Sequence, residues 1–175
     1  SDRVDIMVAM NAQTYAQDMA DVMPGGWLIY DSTWPRSRQL NRDDITVIGV
    51  PLSRMCNERF DGVRTRILMK NIAYVGVIAA LTDIDLEVIK GLLEETFAEK
   101  QHLIAANMEA IHLGYDYAKE NFSGPNPPRV EKMDATSRHI VIDGNTASAL
   151  GCVYAGATVG AWYPITPSTS LMDAF

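Results

Sequence analysis

Short apolar runs separated by polar or amphipathic stretches fill the first third of the chain, and longer apolar runs replace them afterwards. From Val4, VDIMVAMN has the length and near-continuous apolarity of a strand buried on both faces. Residues 12–23 place Tyr15, Met19, Val22 and Met23 at helical spacing, and Pro24-Gly25-Gly26 is expected to stop that helix. WLIYD (27–31) and ITVIGVP (45–51) are the second and third predicted strands. Pro51 sits where a helix accepts proline in its first turn. Buried strands alternating with helices predict a parallel α/β sheet.

The period then changes. Residues 65–81, TRILMKNIAYVGVIAAL, predict one apolar, central helix, after which Thr82 or Asp83 is the expected N-cap of a helix over 84–97. A third helix is expected over 99–120, with Leu103, Ala106, Ala110, Leu113 and Tyr117 on one side. Three successive helices make an α-rich subdomain. FSGPNPP (122–128) cannot continue a helix and marks the clearest boundary, opening a linker over 122–137. Beyond it the α/β pattern restarts: RHIVIDG as strand and turn, GNTASALGCVYAGA as a small-residue helix, and TVGAWYPI as a second strand.

Composition narrows the class. With 175 residues, 47% hydrophobic and 21% charged, the chain has room for one domain, or one and part of another. A net charge of −7 argues against a general nucleic-acid binder, while leaving room for a local anion site. The longest apolar run, Ile72 to Leu81, falls short of the ~18 residues of a membrane span. SDRVDIMVAM lacks the features of a secretory signal, so the expected location is cytoplasmic. Cys56 and Cys152 lie in apolar contexts and read first as buried free thiols, with one disulfide as the alternative. They are too few for an iron–sulfur cluster. The chain opens at the edge of a strand and stops at Leu171-Met172-Asp173-Ala174-Phe175, where a helix should begin, which is the pattern of a piece of a longer polypeptide.

Several charged groups compete for attention. Arg36, Arg38, Arg42, Arg54, Arg59, Arg64 and Arg66 are locally dense. They read first as solvated surface; the alternative is contact with a phosphate-bearing ligand, or with an acidic neighbour. His102, His112 and His139 form no metal set, and Glu109 with His112 reads as a surface pair on one helix face. Glu94, Glu95 and Glu99 look like a solvated face, and Met7, Met10, Met19 and Met23 like core or interface filling.

The most informative segment is Tyr163-Pro164-Ile165-Thr166-Pro167, followed by Ser168-Thr169-Ser170. A residue before proline is pushed toward extended backbone, so Tyr163 and Thr166 are both restricted and Thr166 presents its hydroxyl from a stiff loop. Ser168, Thr169 and Ser170 can cap a following helix, whose N–H groups would face the same space. That suits holding a carboxylate or phosphate at a strand end. The simpler reading is a proline-stiffened turn with an ordinary cap.

AWYPITPSTSLMDAF resembles the YPITPS segment of the 2-oxoacid:ferredoxin (acceptor) oxidoreductases, enzymes that use thiamine diphosphate. In them it lies near the start of the α domain, which contacts the pyrimidine side of the cofactor. GNTASALGCVYAGA resembles the helix opening that domain, and DIMVAMN, GGWLIYDS, ITVIGVPL, KNIAYVGVIAAL and NMEAIHLGY resemble the γ domain, in that order. The implied fold is α/β: a parallel-sheet γ-like domain over 1–121, incomplete at its N-terminus and carrying a helical subdomain. The linker 122–137 and the first βαβ of the α domain, over 138–175, would follow.

The implied activity is oxidative decarboxylation of a 2-oxoacid to acyl-CoA and carbon dioxide, with electrons passing to ferredoxin. The γ-before-α order favours 2-oxoglutarate, with pyruvate or branched-chain 2-oxoacids as alternatives. By resemblance Thr166 is the catalytic residue that contacts the 2-oxoacid, and Tyr163, Pro164, Ile165, Thr166 and Pro167 form the substrate-binding loop. The resemblance implies thiamine diphosphate with magnesium and iron–sulfur clusters in the whole complex, none fully bound by this chain. It implies a β subunit, ferredoxin, coenzyme A and the 2-oxoacid as partners within an oligomer. No nucleic acid or membrane is expected.

Departures matter too. A GxGGQG-like opening is missing, and Gly25-Gly26 reads as a helix C-cap. Neither the glutamate that activates the aminopyrimidine nor a GDG…N diphosphate motif is present; Asp143-Gly144-Asn145 reads as a turn before a capped helix. The chain is thus not expected to be active alone. Two other classes compete: a non-catalytic assembly module whose active site comes from partner chains, and a nicotinamide-dependent dehydrogenase. The latter lacks any G-x-G-x-x-G after a strand.

Overall fold

The computed structural model describes residues 3–34, 40–124 and 127–175, so Arg36 and Arg38 lie outside the described residues. The chain divides into two compact units, residues 1–131 and 132–175.

In the first unit, strands β1 (Val4–Ala9), β2 (Val22–Asp31) and β3 (Thr46–Val50) form a parallel sheet in the order β1-β2-β3. Helix α1 (Tyr15–Asp21) lies between β1 and β2. Ile6 pairs with Trp27 and Ala9 with Tyr30; on the other side Trp27 pairs with Thr46 and Asp31 with Val50. Because side chains alternate along a strand, β2 feeds two cores. Trp27 and Ile29 join Ile48 and Val50 beneath α2 (Leu52–Arg59), α3 (Val63–Thr82) and α5 (Gln101–Asn121). On the opposite face Leu28 packs with Ala9, Tyr15, Met19, Val22 and Leu40.

The sequence around Pro24 behaves differently from expectation. Helix α1 ends at Asp21, and β2 begins at Val22 and runs through Pro24-Gly25-Gly26. The pairing register shifts here, with Val22 opposite Val4 but Trp27 opposite Ile6. Gly25 adopts φ +80° and its N–H donates to the Asp44 carbonyl at 2.7 Å, while a Cβ at Gly26 would stand 2.8 Å from the Asp5 carbonyl oxygen. The two glycines therefore serve a strand irregularity that needs positive φ and close approach, rather than a helix cap.

Helix α3 has the length and hydropathy of a membrane span, yet half of its apolar window is buried in this fold, as in a core helix. Its end also corrects the expected cap. Thr82 closes α3 with its hydroxyl donating to the Ile78 carbonyl, and Asp83 sits in left-handed geometry at φ 57° as the C-cap. Asp85 caps α4 (Leu86–Thr96), accepting the Glu87 N–H at 2.9 Å. The buried stripe of α5 is Ile104, Asn107, Ala110, Ile111, Gly114 and Ala118, one position along from most of the expected side.

The second unit contains α6 (Gly144–Tyr154) and α7 (Ser168–Ala174). The strands expected over 138–143 and 158–165 do not form among the described residues; both segments are largely exposed, with Val141 fully so. Apolar side chains alone do not make a strand: the backbone needs a neighbouring ladder, and these segments have none within the unit. Cys152 is exposed and Cys56 buried, and both are free.

Candidate functional site

The second unit gathers Tyr163, Pro164, Ile165, Thr166 and Pro167 onto one exposed loop that leads into α7. Backbone bonds tighten it: Ile165 N–H donates to Tyr163 O and Ser168 N–H to Ile165 O, each at 2.8 Å. The Thr166–Pro167 peptide is cis. The serines do not act as the expected caps. Ser168 Oγ donates to Ile165 O at 2.6 Å and Ser170 Oγ to Pro167 O at 3.1 Å, and Pro167 occupies the N-cap of a seven-residue helix without a side-chain cap bond. These hydroxyls are spent on carbonyls. The Thr166 hydroxyl, by contrast, makes no hydrogen bond among the described residues and is exposed.

Helix α6 stands beside this loop. Asp143 is its N-cap, accepting Thr146 N–H at 3.0 Å and the Thr146 hydroxyl at 2.6 Å. Those donations, with the side-chain bond largest, hold the Asp143 carboxyl below the ordinary carboxylate range. The turn expected at Asp143-Gly144-Asn145 is thus the cap and first turn of the helix itself. Asn145 Nδ2 reaches across to Pro167 O at 3.0 Å and Ser170 Oγ at 2.7 Å.

A second polar site lies in the first unit, at residues outside the expected site. Asp31, at the C-terminal end of β2, is only 4% exposed. Its carboxylate accepts Thr33 Oγ1 at 2.6 Å, Thr33 N–H at 3.1 Å, Ser53 N–H at 3.2 Å and the Ser53 hydroxyl, and Lys70 Nζ lies 3.9 Å away. Two adjoining clefts open here at the strand ends. One of about 220 Å³ is lined by Trp34, Ser53, Asn57, Arg66, Ile67 and Lys70. The other, about 200 Å³, is lined by Asn11, Tyr15, Asp31, Trp34 and Lys70 among others. Burial, reinforced by Asp31, pushes the neighbouring Cys56 thiol up to about 11 and raises the Tyr74 phenol further still. Signals for this site were present: an aspartate closing an apolar strand, and Lys70 as the one charge amid ILMKNIAYVGVIAAL.

The arginine-rich stretch does not form one patch among the described residues. Arg42 is held by Asp44 at 2.7 Å and by the carbonyls of Met19 and Val22; Arg59 pairs with Glu109; Arg66 lines the cleft. The Arg59 pairing replaces the expected Glu109–His112 pair. Among the described residues no group of three or more His, Cys, Asp or Glu could hold a metal ion.

Residues 1–117 match the pyruvate ferredoxin/flavodoxin oxidoreductase family. The 2-oxoacid:ferredoxin oxidoreductase 2 subunit alpha of Aeropyrum pernix is 26% identical, with 95% of this chain and 32% of that protein covered. The ketoisovalerate oxidoreductase subunit VorA of Methanothermobacter marburgensis is 29% identical over 70% of this chain and 25% of its own length. The solved 2-oxoglutarate:ferredoxin oxidoreductase of Magnetococcus marinus, with 2-oxoglutarate, coenzyme A and succinyl-CoA bound, has the same fold at a TM-score of 0.79 and 24% identity. That match covers 99% of this chain and 30% of the solved one. The chain therefore spans between a quarter and a third of the length of the proteins it matches.

Proposed function

The chain belongs to the pyruvate ferredoxin/flavodoxin oxidoreductase family, and from that premise we propose that it is the γ-like domain and the start of the α domain of a 2-oxoacid:ferredoxin oxidoreductase large subunit. We infer that the enzyme oxidatively decarboxylates a 2-oxoacid to acyl-CoA and carbon dioxide, with 2-oxoglutarate the first substrate to test. The ligands named for the Magnetococcus marinus structure support that choice, and the ketoisovalerate relative keeps branched-chain acids as the second.

The observation that carries this reading is the Thr166 loop: a proline-stiffened segment that presents an uncommitted, exposed threonine hydroxyl beside serines already satisfied by carbonyls. A fixed hydroxyl donor at that place would bind and orient the 2-oxoacid. The described residues do not fit the other groups of the reaction. Asp143 is committed to capping α6, no acidic cluster is present for magnesium, and two cysteines cannot ligate an iron–sulfur cluster. We assign this chain's own residues a part in recognition. At the strand-end cleft, Lys70 and Arg66 beside Trp34 would take the phosphates of coenzyme A. The exposed apolar segments 138–142 and 158–165 would be covered by the rest of the assembly, including the β subunit.

In the intact enzyme, Thr166→Ala is expected to raise KM for the 2-oxoacid by about ten-fold, the loss of one hydrogen bond to a charged group, and to leave KM for coenzyme A unchanged. Unchanged turnover and substrate affinity would overturn the assignment of Thr166.

A further inference from the structure

The polar contact between α6 and the Thr166 loop has a shape that neither a helix cap nor packing requires. Asn145 Nδ2 donates to Pro167 O at 3.0 Å and to Ser170 Oγ at 2.7 Å, and Ser170 Oγ donates to the same carbonyl at 3.1 Å. Three atoms are thus joined pairwise, across separations of 22 and 25 residues. The carbonyl at their centre belongs to the residue after Thr166, so the ring pins the backbone immediately beside the exposed hydroxyl. An amide has the two N–H donors this needs on one atom, which neither a hydroxyl nor a carboxylate supplies. Helix α6 is itself fixed at this end by the Asp143–Thr146 cap, so Asn145 projects from an anchored turn. Among the described residues the other bonds of residues 163–167 are local, none reaching past Ser170, while residues 157–165 form neither helix nor strand and α7 is two turns long.

We propose that Asn145 is a positioning residue for the 2-oxoacid site, acting through the Pro167 carbonyl and Ser170 to set where Thr166 presents its hydroxyl. This rests on the reading that Thr166 binds the 2-oxoacid. Loss of the amide leaves Ser170 on the carbonyl but frees the loop from α6, so the hydroxyl samples positions in which it cannot meet the substrate. The cost falls on substrate recognition, and on nothing that coenzyme A touches.

The test uses the intact enzyme with Asn145→Ala, Thr166→Ala and both together. Alanine is a strong helix former and adds no charge, so α6 keeps its conformation. Asn145→Ala is expected to raise KM for the 2-oxoacid by about ten-fold with KM for coenzyme A unmoved, and the double variant to be no worse than Thr166→Ala. A purely structural role would instead lower kcat through loss of folded enzyme and leave KM alone. Wild-type KM in Asn145→Ala, or effects that multiply in the double variant, would overturn the proposal. If Thr166→Ala is silent while Asn145→Ala is damaging, the assignment of Thr166 fails and this one falls with it. Should Asn145→Ala not assemble, Ser170→Ala removes two sides of the ring and leaves the Asn145–Pro167 bond. Because the direct Asn145–Pro167 bond survives, it is expected to raise the same KM only about three-fold, and a wild-type KM there counts against the proposal.

Discussion

A carboxylate taken out of water needs donors around it, and Asp31 draws them from two elements besides its own. Thr33 N–H and hydroxyl, Ser53 N–H and hydroxyl, and the Lys70 ammonium meet it where β2 ends, tying that end to α2 and α3. Its neighbours bear the consequence. Cys56 is fully buried, and burial first and Asp31 second push its thiol up to about 11. An unfolded cysteine loses its proton near pH 8.5, so above that pH the unfolded chain holds fewer protons than the folded one. Stability is then expected to fall from about pH 8.5 upward and to level off past the folded value of about 11. In denaturant titrations across that window, Cys56→Ala should show a shallower alkaline decline than the native chain. Equal slopes would mean that the thiol is not the group responsible. Asp31 and Lys70 each stood out against apolar neighbours in the sequence, but their pairing did not, because an aspartate after an apolar strand is ordinary until Ser53 and Lys70 converge on it.

Helices α3 and α5 owe their packing to two glycines. A Cβ on Gly76 would lie 1.9 Å from the Ile111 carbonyl oxygen, and one on Gly114 would lie 2.0 Å from that of Ala73. The obstruction in both cases is backbone, so no side-chain rearrangement relieves it. Gly76→Ala is therefore expected to lower the unfolding free energy by about 3 kcal/mol or more, measured by urea unfolding. Gly91 on α4 has nothing within 4 Å of such a Cβ, so Gly91→Ala serves as the mild control. This crossing also explains which parts of the elements were legible. Continuous apolarity marked α3, and the expected spans of α4 and α5 end within two residues of those observed, since helix periodicity is local. The buried stripe of α5 lies about one position along from the expected side, because Gly114 and Ala118 rather than Leu113 and Tyr117 face the contact. Residues 138–143 and 158–165 were misread for a related reason: their apolar pattern was plain, but a strand depends on a partner that the local sequence does not specify.

Across the whole molecule the two units carry different features. The first carries a sheet buried on both faces and a strand-end cleft with Lys70, Arg66 and Trp34; the second carries the Tyr163–Pro167 loop, anchored through Asn145. Membership in the pyruvate ferredoxin/flavodoxin oxidoreductase family rests mainly on the first unit, since the match covers residues 1–117. The YPITP segment, from which the functional reading began, lies in the second. Its loop conformation was legible because prolines restrict the backbone wherever they occur, while the serines' bonds to carbonyls were not, since a hydroxyl can donate as readily as accept. The central claim is tested most directly in the enzyme carrying this chain, purified anaerobically with its partner subunits. Viologen reduction is measured with 2-oxoglutarate, pyruvate and branched-chain 2-oxoacids, with and without coenzyme A. The account predicts reduction that requires both a 2-oxoacid and coenzyme A and is fastest with 2-oxoglutarate; no reduction with any 2-oxoacid would contradict it.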